Sequence, residues 1–170
     1  GLSLSKLLGS QRDSVRCYNT SGGFLHTPID QLSVNAAASI ERGIGGIKLK
    51  VGQPDGKIDI QRVEAVRKHL GDHVPLMVDA NQQWDRPTAQ RMCRIFEQFN
   101  LVWIEEPLDA YDHEGHAALA ATFDTPIATF QAVAHRAADA YIDTEAVRLT
   151  AYQAAWRLGE GLPAAEELAI

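Results

Sequence analysis

The sequence predicts an α/β fold built on a parallel sheet. Three short apolar segments carry the prediction: Gly46-Ile47-Lys48-Leu49-Lys50-Val51-Gly52, Pro75-Leu76-Met77-Val78-Asp79-Ala80-Asn81 and Leu101-Val102-Trp103-Ile104-Glu105-Glu106-Pro107. Two stretches of helical periodicity separate them. Strand, helix, strand, helix, strand at a spacing of about 30 residues is the pattern of βα repeats. In such folds chemistry gathers at the carboxyl ends of the strands, where Lys50, Asp79 and Glu105 all fall.

The elements follow in order. Leu2, Leu4, Leu7 and Leu8 form a short apolar stripe of a packing helix that Gly9 stops. Residues 15–20 alternate and are β-prone, which predicts a first strand, with Ser21-Gly22-Gly23 as a turn at its end. Thr27 as N-cap and Pro28 at the first helical position open a helix that Gly43 closes, with Leu32, Ala36, Ala37 and Ile40 on its apolar face. After strand 46–51 and the turn 52–56 comes a helix from about 58 to 70, with Ile60, Val63, Val66, Arg67 and Leu70 near its stripe and Gly71 as C-cap. Strand 75–80 leads to a helix capped by Asp85 with Pro87 in its first turn, running to about 99. Strand 101–105, a short helix over 112–121 and a fifth strand beginning at 125–129 complete the repeat. Residues 130–158 then lack Gly and Pro and read as one helix, about 43 Å long at 1.5 Å per residue; Gly159 and Gly161 end it, and Pro163 opens a further short helix.

Composition narrows the function. The chain has 170 residues, enough for a domain with a real core, and 45% of them are hydrophobic. A net charge of −6 argues against nucleic acid as a partner. No apolar run reaches membrane-spanning length, so no membrane is expected. The first eight residues lack the apolar core and cleavage site of a signal peptide, and the cytoplasm is the expected location. The absence of an initiator Met points to a piece of a longer protein. Cys17 and Cys93 stand in no metal-like spacing and read as free, buried thiols of a reducing compartment.

Lys48 and Lys50 are two residues apart in a strand and so share a face. Mutual repulsion and desolvation would both favour the neutral amine, moving a lysine from about 10.4 towards a useful base. Asp79 and Glu105, at the ends of the next two strands, offer hard oxygen ligands that suit Mg²⁺. Glu106 falls on the opposite face from Glu105 and is expected to pair with a lysine or another basic group from behind. His113, His116 and His135 read as surface or helix-face residues.

Lys48-Leu49-Lys50, Val78-Asp79-Ala80-Asn81-Gln82 and Trp103-Ile104-Glu105-Glu106-Pro107 resemble the mandelate racemase branch of the enolase superfamily. The wider match, with Asn19 to Phe24, Asp79 to Trp84 and Glu105 to Tyr111, resembles the galactarate and L-talarate dehydratases over residues 1–129. The resemblance implies about half of a (β/α)8 TIM barrel, four complete βα units and a partial fifth. It implies Mg²⁺, α-proton abstraction from an acid sugar, enediolate stabilisation and β-elimination of water. Lys50 would be the base, Lys48 its neighbour and a contact to the substrate carboxylate. Asp79 and Glu105 would be metal ligands, and Asn81 a substrate contact. The family's third metal ligand, a Glu, falls where this chain reads Thr129-Phe130-Gln131, and its Asp–His acid/base pair is not matched. Impaired activity is therefore expected. Residues 130–170, through Phe130-Gln131 and Tyr152 to Leu158, resemble the C-terminal helices of acyl-CoA dehydrogenases, with no implied FAD. The open sheet edge and the long helix imply a homo-oligomer. Two alternatives are an inactive fused or truncated chain that acts through helix-driven association, and an acyl-CoA dehydrogenase-like flavin module.

Overall fold

The computed structural model describes residues 3–7, 9, 14–128 and 130–165, with residues 5 and 130–139 described by backbone alone. The elements are α1 (Leu4–Leu7), α2 (Ile29–Glu41), β1 (Ile47–Lys50), α3 (Gly56–Leu70), β2 (Leu76–Asp79), α4 (Arg86–Phe96), β3 (Ile104–Glu105), α5 (His113–Thr122), β4 (Ile127–Ala128) and α6 (Phe130–Gly159). The chain divides into two compact units, with the boundary after Ala128.

The first unit is α/β. Its four strands are all parallel and lie in the order β1-β2-β3-β4, so the sheet grows by one βα step at a time without a reversal of order. Period-two alternation divides the strands between two faces. Ile47, Leu49 and Val51, Leu76, Val78 and Ala80, and Ile104 enter one apolar core. There they pack with Leu32 and Ala36 of α2, Val63 and Val66 of α3, and Met92, Cys93 and Phe96 of α4. The other face carries Lys48, Lys50, Met77, Asp79 and Glu105.

Local chemistry sets the helix ends. Asp55 caps α3 by accepting from the Lys57 N–H at 3.0 Å, Asp85 caps α4 through the Thr88 N–H at 2.9 Å, and Asp112 caps α5 through the Gly115 N–H at 3.0 Å. Thr27 does not cap α2: Pro28 occupies that position without a side-chain bond. Thr27 is instead held in the preceding turn, its N–H on the Phe24 carbonyl and its own carbonyl on Arg62. α4 ends at Phe96 and tightens into a 3₁₀ turn at Glu97–Phe99, which Asn100 stops at φ 48°. The first expected strand shrinks to one parallel bridge, Asn19 to Ile47, because residues 14–18 are exposed and only Cys17 and Asn19 bond to the β1 side. The strand expected at 101–105 is regular only at Ile104–Glu105.

Buried polar side chains tie loops at both ends of the sheet to α3. Arg67, counted by periodicity near an apolar stripe, is 6% exposed and donates to the carbonyls of Phe99, Gly71, Val74 and Asn100. Asp59 is fully buried and accepts the Gly52 and Gln53 N–H groups, each at 2.8 Å. Arg62 donates to the Phe24 and Thr27 carbonyls, and the Gln53 amide donates to the Leu25 carbonyl at 2.7 Å. Burial pushes the Asp59 carboxyl up and the Arg62 guanidinium down from their ordinary values.

The second unit consists, among the described residues, of α6 and the turn after it. Tyr141, Ile142, Val147, Leu149, Tyr152, Trp156 and Leu158 are exposed along it. Pro163 opens no helix within the described residues. No described helix is long and apolar enough to cross a membrane. Cys93 is buried, but Cys17 is exposed, so only one of the two thiols sits in a core.

Candidate metal and base site

Register brings the predicted residues together. Lys50 on β1 stands beside Asp79 on β2, and Asp79 beside Glu105 on β3. All three, with Lys48, project from the face opposite the helices. The Lys50 ammonium lies 2.6 Å from Asp79 Oδ2. The Lys48 ammonium reaches both carboxylates, 3.2 Å from Asp79 Oδ2 and 2.8 Å from Glu105 Oε2. Lys48, Asp79 and Glu105 are all buried, whereas the Lys50 side chain is 26% exposed and opens toward solvent.

Two ammonium groups and two carboxylates therefore form a balanced cluster. Read from β1 alone, repulsion and desolvation favour the neutral amine for the two lysines. The structure reverses this for Lys48. Burial lowers its pKa, but the hydrogen bond to Glu105 and the charge of Asp79 outweigh burial and hold the ammonium above its ordinary value. The neighbouring strands supply carboxylates that the β1 sequence alone does not reveal.

The backbone around the cluster is strained. Asn81, Gln82 and Glu106 have φ of 46°, 65° and 43°, the left-handed region that side chains normally avoid. They occupy the ends of β2 and β3 next to the carboxylates. Asn81 donates its N–H to Asp79 Oδ1 at 3.0 Å, which fixes that carboxylate, and its side chain faces solvent at the carboxyl end of the sheet. Gly23 docks on β1 so closely that a Cβ would lie 2.6 Å from the Lys48 carbonyl, and its carbonyl accepts the Lys50 N–H at 2.7 Å. Only glycine fits there.

Glu106 does not pair with a lysine. It is buried, accepts from the Gln82 amide at 3.3 Å, and has no hydrogen-bond partner for Oε1 among the described residues. It follows Glu105 by one residue, and alternation sends it to the face opposite both lysines. Of the expected surface or helix-face histidines, His116 is buried on α5 with Nδ1 2.9 Å from the Asp112 carbonyl, and His113 is exposed. The side chain of His135 lies outside the described residues.

Sequence reasoning missed Trp103 and Tyr18. Trp103 Nε1 donates to Glu105 Oε2 at 3.2 Å, and the Tyr18 ring meets Trp103 edge-on at 5.4 Å and 77°. The Lys48 ammonium stands 5.7 Å from the centre of the Tyr18 ring. The signal for Trp103 was its place two residues before Glu105, on the same face. Tyr18 offered no comparable signal, because its position depends on the Asn19 bridge.

The donor set fits a hard divalent cation. Asp79 and Glu105 are oxygen ligands on adjacent strand ends, and Mg²⁺ takes one or two carboxylates and completes its shell with water and substrate. The described residues contain no group of three or more His, Cys, Asp or Glu placed for a metal. Gln131 belongs to the second unit, and its side chain lies outside the described residues.

A parallel α/β sheet with lysines and acids converging at its carboxyl edge defines a class, and the family follows from comparison. A family model described as enolase C-terminal domain-like matches residues 31–159, and the chain belongs to that family. Its relatives include L-talarate/galactarate dehydratase of Salmonella typhimurium LT2, 73% identical over 129 residues, which make up 76% of this chain and 32% of that protein. The 3,6-anhydro-alpha-L-galactonate cycloisomerase of Streptomyces coelicolor is 44% identical over 117 residues, covering 68% of this chain and 32% of that one. Among solved structures, L-talarate dehydratase from Polaromonas sp. JS666, complexed with Mg and L-glucarate, is 90% identical at a TM-score of 0.70, over 75% of this chain and 36% of that chain. This chain thus spans about a third of the length of these relatives. The family match continues past residue 129 to 159, and the acyl-CoA dehydrogenase resemblance of the tail rests on its motifs alone.

Proposed function

We propose that residues 1–129 form about half of a (β/α)8 barrel and carry the base and metal ligands of an acid-sugar dehydratase, with residues 130–170 as a helical tail. The observation that carries this reading is the convergence of Lys48, Lys50, Asp79 and Glu105 on one sheet face, with ammonium–carboxylate distances of 2.6 to 3.2 Å. The identity to the Salmonella and Polaromonas dehydratases supports galactarate or L-talarate as the substrate class.

Lys50, the more open of the two lysines, takes the α-proton on Nζ as an amine. The electron pair of the broken Cα–H bond becomes the second Cα–Cβ bond, the Cβ–O bond breaks with its pair on oxygen, and the departing hydroxide takes a proton from solvent to leave as water. Lys48 remains cationic and holds the substrate carboxylate. Asn81, at the turn beyond Asp79, faces the sugar hydroxyls. Asp79 and Glu105 would hold Mg²⁺, which when bound would supply positive charge against the charge that develops on the substrate carboxylate. Gln131 stands where the resemblance calls for a third carboxylate, and a neutral amide binds Mg²⁺ less well. Turnover is therefore impaired, and exchange of the α-proton, which needs base and metal alone, outlasts water loss.

Proton NMR of galactarate or L-talarate in D₂O with excess Mg²⁺ tests this. Loss of α-proton exchange in Lys50→Ala is the expected result, and exchange unchanged by Lys50→Ala overturns the assignment of the base. A second reading, self-association through α6, draws on its exposed Tyr141, Val147, Tyr152 and Trp156. Light scattering that shows a monomer at micromolar concentration refutes it.

A further inference from the structure

We propose that Trp103 is a positioning residue for the cation-binding carboxylate of Glu105, with Tyr18 holding its ring. The inference rests on the reading of Asp79 and Glu105 as metal ligands. Trp103 and Glu105 are two apart at β3 and share a face. The indole N–H donates to Glu105 Oε2 at 3.2 Å, the oxygen that also receives Lys48 at 2.8 Å. Both donors fall on Oε2, and no described residue donates to Oε1. The carboxylate is thereby held by one oxygen and offers the other.

The two donors differ in kind. The Lys48 ammonium carries a charge, is shared with Asp79, and is repelled by an arriving cation. The indole N–H is neutral and a donor only, so it neither cancels the carboxylate's charge nor competes as a ligand. It can hold the carboxylate after a cation has entered. Trp103 is itself fixed, because Tyr18 packs edge-on against it and the next residue, Asn19, is bonded to Gly46 and to Lys48 of β1. Groups that orient metal ligands in this way are worth about 10–100-fold in metal affinity.

The test is a titration of the whole chain with Mg²⁺ by calorimetry and with Mn²⁺ by water-proton relaxation. Trp103→Phe keeps the ring and removes the N–H; about 10–100-fold weaker binding is expected. In a Glu105→Gln background the same substitution is expected to change nothing. Thermal melts without metal check folding, and Trp103→Gln, which restores an N–H donor, is expected to recover most of the lost affinity. Wild-type affinity in Trp103→Phe, alongside weakened binding in Asp79→Asn, overturns the inference and leaves the metal site standing. An equal loss from Trp103→Phe with and without the Glu105 carboxylate also overturns it, because the role is then merely structural. Undiminished binding in Asp79→Asn instead overturns the underlying assignment of the site.

Discussion

Replacing Lys48 by Met tests how the charged cluster is held together. The side chain of Lys48 is 8% exposed, with partners at 3.2 Å on Asp79 and 2.8 Å on Glu105, which are themselves 3% and 11% exposed. Met fills much the same volume but leaves two buried carboxylates facing a single ammonium, that of Lys50. Breaking a buried ion pair from one side costs about 3–5 kcal/mol, because the remaining charge has neither water nor partner. With a urea m-value of about 2 kcal/mol/M, the unfolding midpoint should fall by about 1.5–2.5 M. Lys50→Met should cost far less, on the order of 1 kcal/mol, because its ammonium is partly solvated and Asp79 keeps Lys48. The assay is tryptophan fluorescence in a Trp156→Phe background, so that only Trp84 and Trp103 of the first unit report. Adding Glu105→Gln to Lys48→Met restores the charge balance and should return about 1–3 kcal/mol. A midpoint shift in Lys48→Met below about 0.5 M at unchanged m would refute the argument that Lys48 neutralises both carboxylates.

Two further outcomes follow from groups outside the cluster. The hydrogen bond from Arg86, joined by the Gly115 N–H, holds Asp112 well below the usual carboxylate range, at about 2. A depressed carboxylate stabilises the fold above its unfolded pKa and loses that contribution as pH falls through the folded one, so acid titration of stability should show a step between about pH 4 and 2 that Arg86→Met reduces. Burial pushes the Cys93 thiol up to about 12, while Cys17 is exposed. A disulfide reagent at pH 8 should therefore modify one thiol rapidly and the second only on unfolding, and two fast thiols would contradict the packing of α4.

The elements that depend on near neighbours in the chain were legible in the sequence. Asp85 announces its helix through a contact three residues away, and the strand segments announce themselves through apolar runs ending in charge. The shared face of Lys48 and Lys50 follows from the period of a strand. The sequence by itself thus determined the βα alternation, the candidate residues and, through its motifs, the family. Register belongs to tertiary structure: only pairing of β1 with β2 and of β2 with β3 sets Lys50 beside Asp79 and Asp79 beside Glu105. That pairing reversed the expectation for Lys48, because two carboxylates from other strands outweigh burial. It also decided that Arg67, Asp59 and Arg62 are buried, since loop carbonyls more than 30 residues away accept from Arg67 and Arg62 and the N–H groups of the turn before α3 bond Asp59. The β-prone segment 15–20 lost its strand because residues 14–18 stay exposed, with one bridge at Asn19 in place of a ladder. Local sequence sets which backbone shape is cheap, whereas the charge state of a buried group depends on atoms brought within about 4 Å by the whole fold.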